Sequence, residues 1–399
     1  MRVLGLMSGT SADGVDAVLA ELGGPPRRPQ WRRLSSAAIA YPADLRRRLV
    51  ALGQGTPLPS AEILELAEAL TEQQAVAARA CDPEGRAELV GCHGQTIWHR
   101  PPGEGRRGAS WQLLQGPLLA ELLGRPVAFD FRSADLALGG QGAPLVPATD
   151  AALLGGIGGW RALLNLGGIA NLTLLPPAGG PDRHAPVLGW DCGPANTLLD
   201  LAVDRFSAGR LGFDADGAWA RRGRIDEGLI DHWLREPYFR QHPPKSTGRE
   251  HFGGPDLDRR LADLAARVPH HDRLAEDSLA TLTAFTAAVV AADLQRQPRP
   301  LELLVAGGGC RNGFLMEQLR LRCRGMAVRP LEELGIGGSE REALAFALLA
   351  WWCHRRHPGS LASVTGARRS AVLGVIAHPA GVAAAGLRWP KPSGIIGGN

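Results

Sequence analysis

The sequence predicts an α/β protein built from two related domains. Residues 3–22 have the pattern of a buried strand, a polar turn and a second strand, and residues 162–175 repeat it. A third polar turn, rich in glycine, joins the buried run at residues 301–305 to a helix that begins near residue 314. Because both halves open with the same unit, they indicate an internal repeat. Together the three turns predict a nucleotide bound in a cleft between the domains.

The composition is typical of a soluble globular enzyme, with 399 residues, of which 45% are hydrophobic and 21% charged. A formal charge of +4 is too small to indicate a nucleic-acid partner. The longest apolar run, residues 343–353, is about half the length needed to cross a bilayer, so we expect no membrane partner. The six cysteines lack CxxC spacing and the N-terminal apolar run is too short for a signal peptide. We therefore expect a cytoplasmic protein.

The first polar turn, residues 7–16, is the most informative stretch of the first half. Its glycine, serine and threonine residues offer backbone amides and hydroxyls to an anion, as nucleotide phosphates require. Asp13 and Asp16 are candidate ligands of a metal ion or of its waters. On the turn alone, an ordinary polar hairpin remains an alternative explanation.

The next elements of the first half are a strand at residues 33–40 and a long helix at residues 60–80, with Ser60 as a candidate cap. A short buried strand at residues 89–92 then runs into a second glycine-interrupted polar turn, residues 93–96. Open α/β sheets bind ligands beyond the ends of their strands, so this turn is a candidate site.

A Gly/Pro-rich segment follows the strand that we predict at residues 126–129. Residues 139–142 lie close in sequence to Asp130, Arg132 and Asp135, which indicates a hinge or a substrate loop. We expect the domains to close about this segment. The predicted division is a first domain at residues 1–145 plus about 362–385, a second at residues 146–361, and a loose tail at residues 386–399.

In the second half, asparagine replaces the acid of the first hairpin, and Asp191 is predicted at a strand end just before a helix. The late turn carries a triple glycine, which would let the backbone pack close against an adenine or a ribose. Taken alone, a triple glycine more often marks a tight structural turn, and it counts here because of its order relative to the two hairpins. An apolar buried helix is predicted from residue 340 to residue 352.

Two common catalytic motifs are excluded. Lys245-Ser246-Thr247 has the residues that end a P-loop, but the preceding Pro243 and Pro244 cannot form that loop. There is also no GxSxG elbow for acyl transfer. Phosphates would therefore be held by backbone amides, hydroxyls, arginine and metal.

Eight segments together resemble, in order, the motifs of the anhydro-N-acetylmuramic acid kinase family: GLMSGTSADGVD, GCHGQTIWHRP, DFRSAD with GGQGAPLVP, LNLGGIANLT, GWDCGPANTLLD, PPKSTGRE, VAGGGCRNGFL and EALAFALLA. The later segment SVTGARRSAVLG is also similar, so that the resemblance spans residues 2–376. This family belongs to the sugar kinase/Hsp70/actin superfamily. The resemblance thus implies two actin-like (ribonuclease H-like) domains that flank a nucleotide and substrate cleft.

The resemblance implies a bacterial enzyme of peptidoglycan recycling. It would convert 1,6-anhydro-N-acetylmuramic acid, ATP and water into N-acetylmuramic acid 6-phosphate and ADP, with Mg²⁺ as cofactor, and a homodimer is plausible. Asp191 would be the general base that takes a proton from the water attacking C1. Cys192 and Ala195 depart from the Thr and Gly common in the family, but they leave Asp191 in place.

The resemblance also assigns binding residues. Those implied to contact the nucleotide are Gly9, Thr10, Ser11, Ala12, Asp13, Gly14, Val15, Asp16, Asn165, Gly167, Gly168, Asn171, Gly307, Gly308, Gly309 and Asn312. Those implied to hold the sugar are Gln95, Thr96, Arg132 and Glu342. Asp13 and Asp16 are implied to hold Mg²⁺, directly or through water.

Structural alternatives exist for three of these residues. Asp191 could accept backbone amides at a turn, Arg132 could form an ion pair with Asp130 or Asp135, and Glu342 could be an acid at a helix start. Two other functions fit the same fold class. One is a kinase of an ordinary sugar hydroxyl, and the other is an actin- or Hsp70-like ATPase switch.

Overall fold

The computed structural model describes residues 1–103, 105–243, 245–248, 251–267, 273–338 and 340–380. The strands are β1 (Arg2–Ser8), β2 (Gly14–Gly23), β3 (Gln30–Ala40), β4 (Leu89–Arg100), β5 (Ala109–Leu113), β6 (Val127–Phe129), β7 (Arg161–Leu166), β8 (Ile169–Leu175), β9 (Leu188–Pro194), β10 (Glu302–Ala306), β11 (Ala327–Pro330) and β12 (Val375–Ala377). The helices are α1 (Ala43–Gly53), α2 (Ser60–Cys81), α3 (Gly116–Leu123), α4 (Ser133–Ala137), α5 (Val146–Leu154), α6 (Asn196–Ser207), α7 (Glu227–Trp233), α8 (Pro237–Arg240), α9 (Gly254–Ala265), α10 (Leu274–Gln295), α11 (Gly313–Arg322), α12 (Glu340–His354) and α13 (Ala362–Thr365).

Five strands of each sheet follow the same order. The first runs β12-β6-β4-β1-β2-β3, with β5 paired to β4, and the second runs β11-β10-β7-β8-β9. In each sheet the first three strands form an antiparallel meander. The next two major strands then run parallel to the first strand of that meander. This is the ribonuclease H-like plan, and its repetition confirms the predicted pair of actin-like domains.

Strand β4 is longer than the sequence indicated. The predicted turn at residues 93–96 is wrong, because β4 continues through it to Arg100. From Gln95 onward the strand pairs with β5, a contact that local pattern does not reveal. Gly94 supplies the positive φ of +74° at this point. Gln95 and Thr96 therefore lie on a strand.

Two smaller predictions also differ from the structure. Helix α2 begins at Ser60, but Pro59 is at the N-cap position and no side chain caps the helix, so Ser60 is not its cap. Asp191 lies within β9 and not at its end, since the strand continues to Pro194 before α6 begins.

Helix α12 packs directly on the first sheet. A Cβ atom on Gly5 of β1 would lie 1.9 Å from the carbonyl oxygen of Ala343, and one on Gly91 of β4 would lie 2.3 Å from that of Phe346. Helix and sheet backbones are therefore in contact. The predicted division had placed residues 146–361 together, whereas this helix lies against the other sheet. The predicted loose tail, residues 386–399, lies outside the described residues.

Helix α10 is the core helix of the second half. Among the described residues it is the one helix that is long and apolar enough to cross a membrane by length and composition. It is buried against α6, α11 and β9, and 78% of its most apolar window is inside the protein. Its length and composition thus fit the core of this half.

Candidate active site

Asp191 is held by three hydrogen-bond donors. Its Oδ1 accepts from Nδ2 of Asn171 at 2.7 Å, and its Oδ2 accepts from Oγ of Ser246 at 2.9 Å and from the backbone N of Thr247 at 3.0 Å. The side chain is half-buried and lines a small cavity of about 60 Å³ that also contacts Gln141. A carboxylate that is held in place at the edge of a cavity can accept a proton from a molecule bound in that cavity.

The second hairpin places Asn171 on this carboxylate. Asn171 pairs directly with Asp191 across β8 and β9, and with Asn165 across β7 and β8. The expectation was a nucleotide contact for Asn171, but in the structure its amide group orients the candidate base. Sequence reasoning noted Ser246 and Thr247 only as a failed P-loop, and their contact with Asp191 was missed.

The first hairpin turn is connected to β4 by Gln95. Oγ of Ser8 donates to Oε1 of Gln95 at 2.6 Å, and Nε2 of Gln95 donates to the carbonyl of Gly9 at 2.9 Å. Gln95 is buried, and both ends of its amide bond to this hairpin. Its geometry therefore favours holding the turn over contacting a sugar. Thr96 accepts from Nε2 of Gln112 at 3.1 Å.

An acidic cluster lies behind the same turn. Burial, followed by the charges of Glu342 and Glu340, raises the pKa of Asp16 from 3.8 to about 6. Burial also raises the pKa of Glu342, against the opposing charges of Arg341 and Arg132. Asp13 differs from Asp16, because its side chain is 69% exposed and it pairs with Arg46 at 2.8 Å. The structure thus places the carboxyl groups of Asp16 and Glu342 close enough to interact, and both have raised pKa values.

In metal-free buffer at about pH 8, Asp16→Asn is expected to raise the melting temperature of the protein. The folded state raises this carboxyl's pKa to about 6, so its ionisation reduces stability above that pH and progressively less as the pH falls toward 3.8. Melting curves across this range should show the gain largest at high pH and vanishing near the lower limit. Asp44→Asn on the exposed side of α1 is the control. A gain for Asp16→Asn that does not depend on pH would contradict the explanation.

Arg132 is bonded to a neutral histidine. Its Nε and Nη2 donate to Nε2 of His93 at 3.2 and 2.9 Å, and its Nη1 donates to the carbonyl of Gly142 at 2.7 Å. Burial and the charge of Arg132 lower the pKa of His93 to about 3, so the imidazole accepts these bonds. Burial also lowers the pKa of Arg132 to about 10. The described residues show no ion pair of Arg132 with Asp130 or Asp135.

The predicted hinge segment is strongly bonded. Asp135 accepts from the backbone N of Gly142 at 2.9 Å and from Oγ1 of Thr365 at 2.8 Å, while the N of Gln141 donates to the carbonyl of Thr365 at 2.9 Å. These bonds hold the loop beside Arg132 and the cavity at Asp191. Of the two roles that the sequence left open, this geometry favours the substrate loop.

The triple glycine borders a candidate nucleotide pocket. A cavity of about 290 Å³ is lined by Gly308, Gly309 and Asn312, which were predicted, and by other residues of the second half that were not. The unpredicted lining residues are Asn196, Leu199, Asp200, Gly212, Phe213, Asp214, Asp216, Leu279, Thr283 and Arg311. Gly307 has a φ of +86°, and a Cβ atom there would lie 2.6 Å from Oδ1 of Asn165. The glycine turn is therefore packed against the second hairpin.

Fold and site together define a class. Two ribonuclease H-like sheets each present a polar hairpin turn, a cavity of nucleotide size lies at the late glycine turn, and a carboxylate is oriented by three donors. These features are those of a phosphotransferase of the actin-like ATPase class.

Comparison with known proteins identifies the family. The sequence profile named "Anhydro-N-acetylmuramic acid kinase" matches residues 1–379. A protein of that name from Synechococcus sp. (strain WH7803) is 62% identical over 393 residues, which cover 95% of this chain and all of the relative. Another from Prochlorococcus marinus (strain MIT 9303) is 61% identical over 385 residues, with the same coverage. The chain belongs to the anhydro-N-acetylmuramic acid kinase family, and it is a kinase.

Solved structures with a similar fold are more distant. A ROK family glucokinase from Streptomyces griseus, in complex with glucose and AMPPNP, gives a TM-score of 0.40 at 16% identity, covering 88% of this chain and 99% of the other. The activator of the 2-hydroxyisocaproyl-CoA dehydratase from Clostridium difficile, with bound ADPNP, gives 0.41 at 13% identity, covering 88% and 94%.

Proposed function

We propose that this chain opens the anhydro ring of 1,6-anhydro-N-acetylmuramic acid with water and transfers the γ-phosphoryl group of ATP to O6. The products are N-acetylmuramic acid 6-phosphate and ADP, and the cell process is peptidoglycan recycling in the cytoplasm. Family membership supports the substrate and the reaction. The observation that carries the chemistry is the Asp191 carboxylate, which three hydrogen bonds orient toward a cavity.

Asp191 acts as the general base in this reaction. It takes the proton of the water that attacks C1, while the bond between C1 and O6 breaks and O6 attacks the γ-phosphorus. The leaving oxygen is captured by phosphorus and therefore needs no proton from a second acid, unlike the leaving oxygen in ordinary glycosidases. One positioned base of this kind contributes about 10²- to 10⁴-fold.

The nucleotide would lie along the two hairpins and the glycine turn. Backbone amides and hydroxyls of residues 9–16 face the phosphates, together with Gly167 and Gly168 of the second hairpin. The cavity at Gly308, Gly309 and Asn312 takes the adenosine. On the sugar side, Arg132, Glu342 and Thr96 are the contacts, and Gln95 holds the phosphate turn in place.

The residues of the first hairpin fit a divalent cation. Burial, followed by the charges of Glu342 and Glu340, raises the pKa of Asp16, and a cation bound beside this carboxylate would offset that effect. The described residues contain no group of three or more side chains arranged as metal ligands. This agrees with Mg²⁺, which keeps several waters and uses substrate phosphates. Asp13 and Asp16 would hold Mg²⁺, directly or through water, and the ion would neutralise phosphoryl charge.

The reaction is tested by ADP release with Mg·ATP and 1,6-anhydro-N-acetylmuramic acid, beside N-acetylmuramic acid and N-acetylglucosamine. We expect turnover with the anhydro sugar alone, and with H₂¹⁸O we expect the label at C1 of the product. Turnover only with an open sugar would assign an ordinary hydroxyl kinase. ATP hydrolysis that no sugar affects would assign an ATPase switch.

A further inference from the structure

A buried ion pair lies directly behind Asp191. Asp293 of α10 accepts from Nζ of Lys245 at 3.0 Å through Oδ1 and from Nε1 of Trp190 at 2.9 Å through Oδ2. The Lys245 and Asp293 side chains are 1% and 3% exposed. Arg296 also contacts Asp293, and the Lys245 ammonium lies 5.0 Å from the centre of the Tyr238 ring. The group is therefore fully inside the protein.

Two of the three partners of Asp293 are next in sequence to the candidate base or to its donors. Trp190 immediately precedes Asp191 on β9, and Lys245 immediately precedes Ser246 and Thr247. The carbonyl of Lys245 also accepts from the backbone N of Asp191 at 3.0 Å. One carboxylate on α10 thus fixes the strand that carries the base and the segment that supplies two of its three donors.

We infer that Lys245 and Asp293 are positioning residues for Asp191: their ion pair holds the 245–247 segment at the distance at which Ser246 and Thr247 orient the base. This inference rests on the proposed role of Asp191. Neither residue touches the reacting atoms, and their effect passes through Ser246 and Thr247.

The energetics of the pair favour a geometric role. Burying two charges has a desolvation cost that often exceeds their mutual attraction, and apolar or neutral replacements of a whole pair are frequently as stable. Stability alone therefore does not explain why an ion pair occupies this position. Catalysis does give a reason, because a shift of about 1 Å in a catalytic group can reduce the rate by about 10²-fold.

The test uses the paired variant Lys245→Met/Asp293→Asn, which removes both charges and keeps an oxygen acceptor for Trp190. We expect kcat to fall by between about 10-fold and about 10²-fold, with KM for both substrates within about 3-fold and the melting temperature little changed. A fall in kcat with KM unchanged separates this positioning role from a loss of substrate binding.

The matched control is Arg161→Met/Glu302→Gln. This is also a buried ion pair of the second sheet, joining β7 to β10. Its replacement is expected to leave kcat unchanged and the melting temperature little changed. If the Lys245 pair variant behaves like this control, with kcat unchanged, the inference is overturned.

Ser246→Ala keeps the test decisive if the paired variant fails to fold. It removes one exposed donor to Asp191 and leaves the buried pair intact. A smaller fall in kcat, again with KM unchanged, is expected, and an unchanged kcat counts against the inference. Turnover of Asp191→Asn separates the two kinds of failure. Full turnover of this variant would reject the proposed role of Asp191 itself, not only the positioning role of the ion pair.

Discussion

Asp191→Asn is expected to lower kcat by at least about 10²-fold while the protein folds and binds ATP. Asparagine has nearly the shape of aspartate and can still accept from Asn171 through its oxygen. Its amide nitrogen cannot accept from Ser246 and Thr247, and the side chain cannot take a proton from water. The loss should therefore appear in kcat much more than in KM.

Three measurements separate this loss from misfolding. Steady-state kinetics give kcat, calorimetry gives ATP affinity, and thermal unfolding reports the fold. Asp258→Asn is the matched control, because Asp258 is an exposed acid of the same half that pairs with Arg205. Turnover near the wild-type value in Asp191→Asn would remove Asp191 as the base and with it the proposed mechanism.

Gly5→Val is the change with the largest expected effect on stability. The ideal Cβ of residue 5 would lie 1.9 Å from the Ala343 carbonyl oxygen and 2.7 Å from the backbone N of Ala347. Both atoms belong to the α12 backbone, so no side-chain rotation relieves the clash. Since ordinary overpacking costs about 1–3 kcal/mol, we expect a loss of more than about 3 kcal/mol or no folded protein.

Gly23→Ala is the control for this experiment, because a Cβ at residue 23 meets nothing within 4 Å. Thermal or urea unfolding of both variants measures the difference. The control should match the wild type. If Gly5→Val had the same unfolding midpoint as Gly23→Ala, β1 and α12 would not be in the backbone contact described here.

The fold was predictable because its signals are local. In both halves a buried strand, a polar turn and a second strand follow one another within a few residues, and pairing confirms both hairpins. The limits of β4 were not predictable, because residues 95–100 become strand only through pairing with β5. The position of α12 on the first sheet likewise depends on contacts more than 250 residues apart in sequence.

The site was predictable in part. Asp191 and the triple glycine stand out as polar or glycine-rich residues beside buried strands, and the structure places both at cavities. The donors Ser246 and Thr247 belong to an irregular stretch without periodicity, so nothing in the sequence indicates where their groups point. Gln95 was assigned to the sugar, although its contacts are with Ser8 and Gly9.

The repeated hairpin gives one scaffold two different chemical uses. Asp16 and Asn171 are each the third residue of the second strand of their hairpin. Asp16 lies near the acidic side chains of Glu342 and Glu340, whereas Asn171 is a neutral amide whose Nδ2 donates to Asp191. An acid at position 171 would face Asp191 directly, and two carboxylates in contact disfavour each other's charged form. The second hairpin can thus leave Asp191 available as a base only because position 171 is an amide where the first hairpin has an acid.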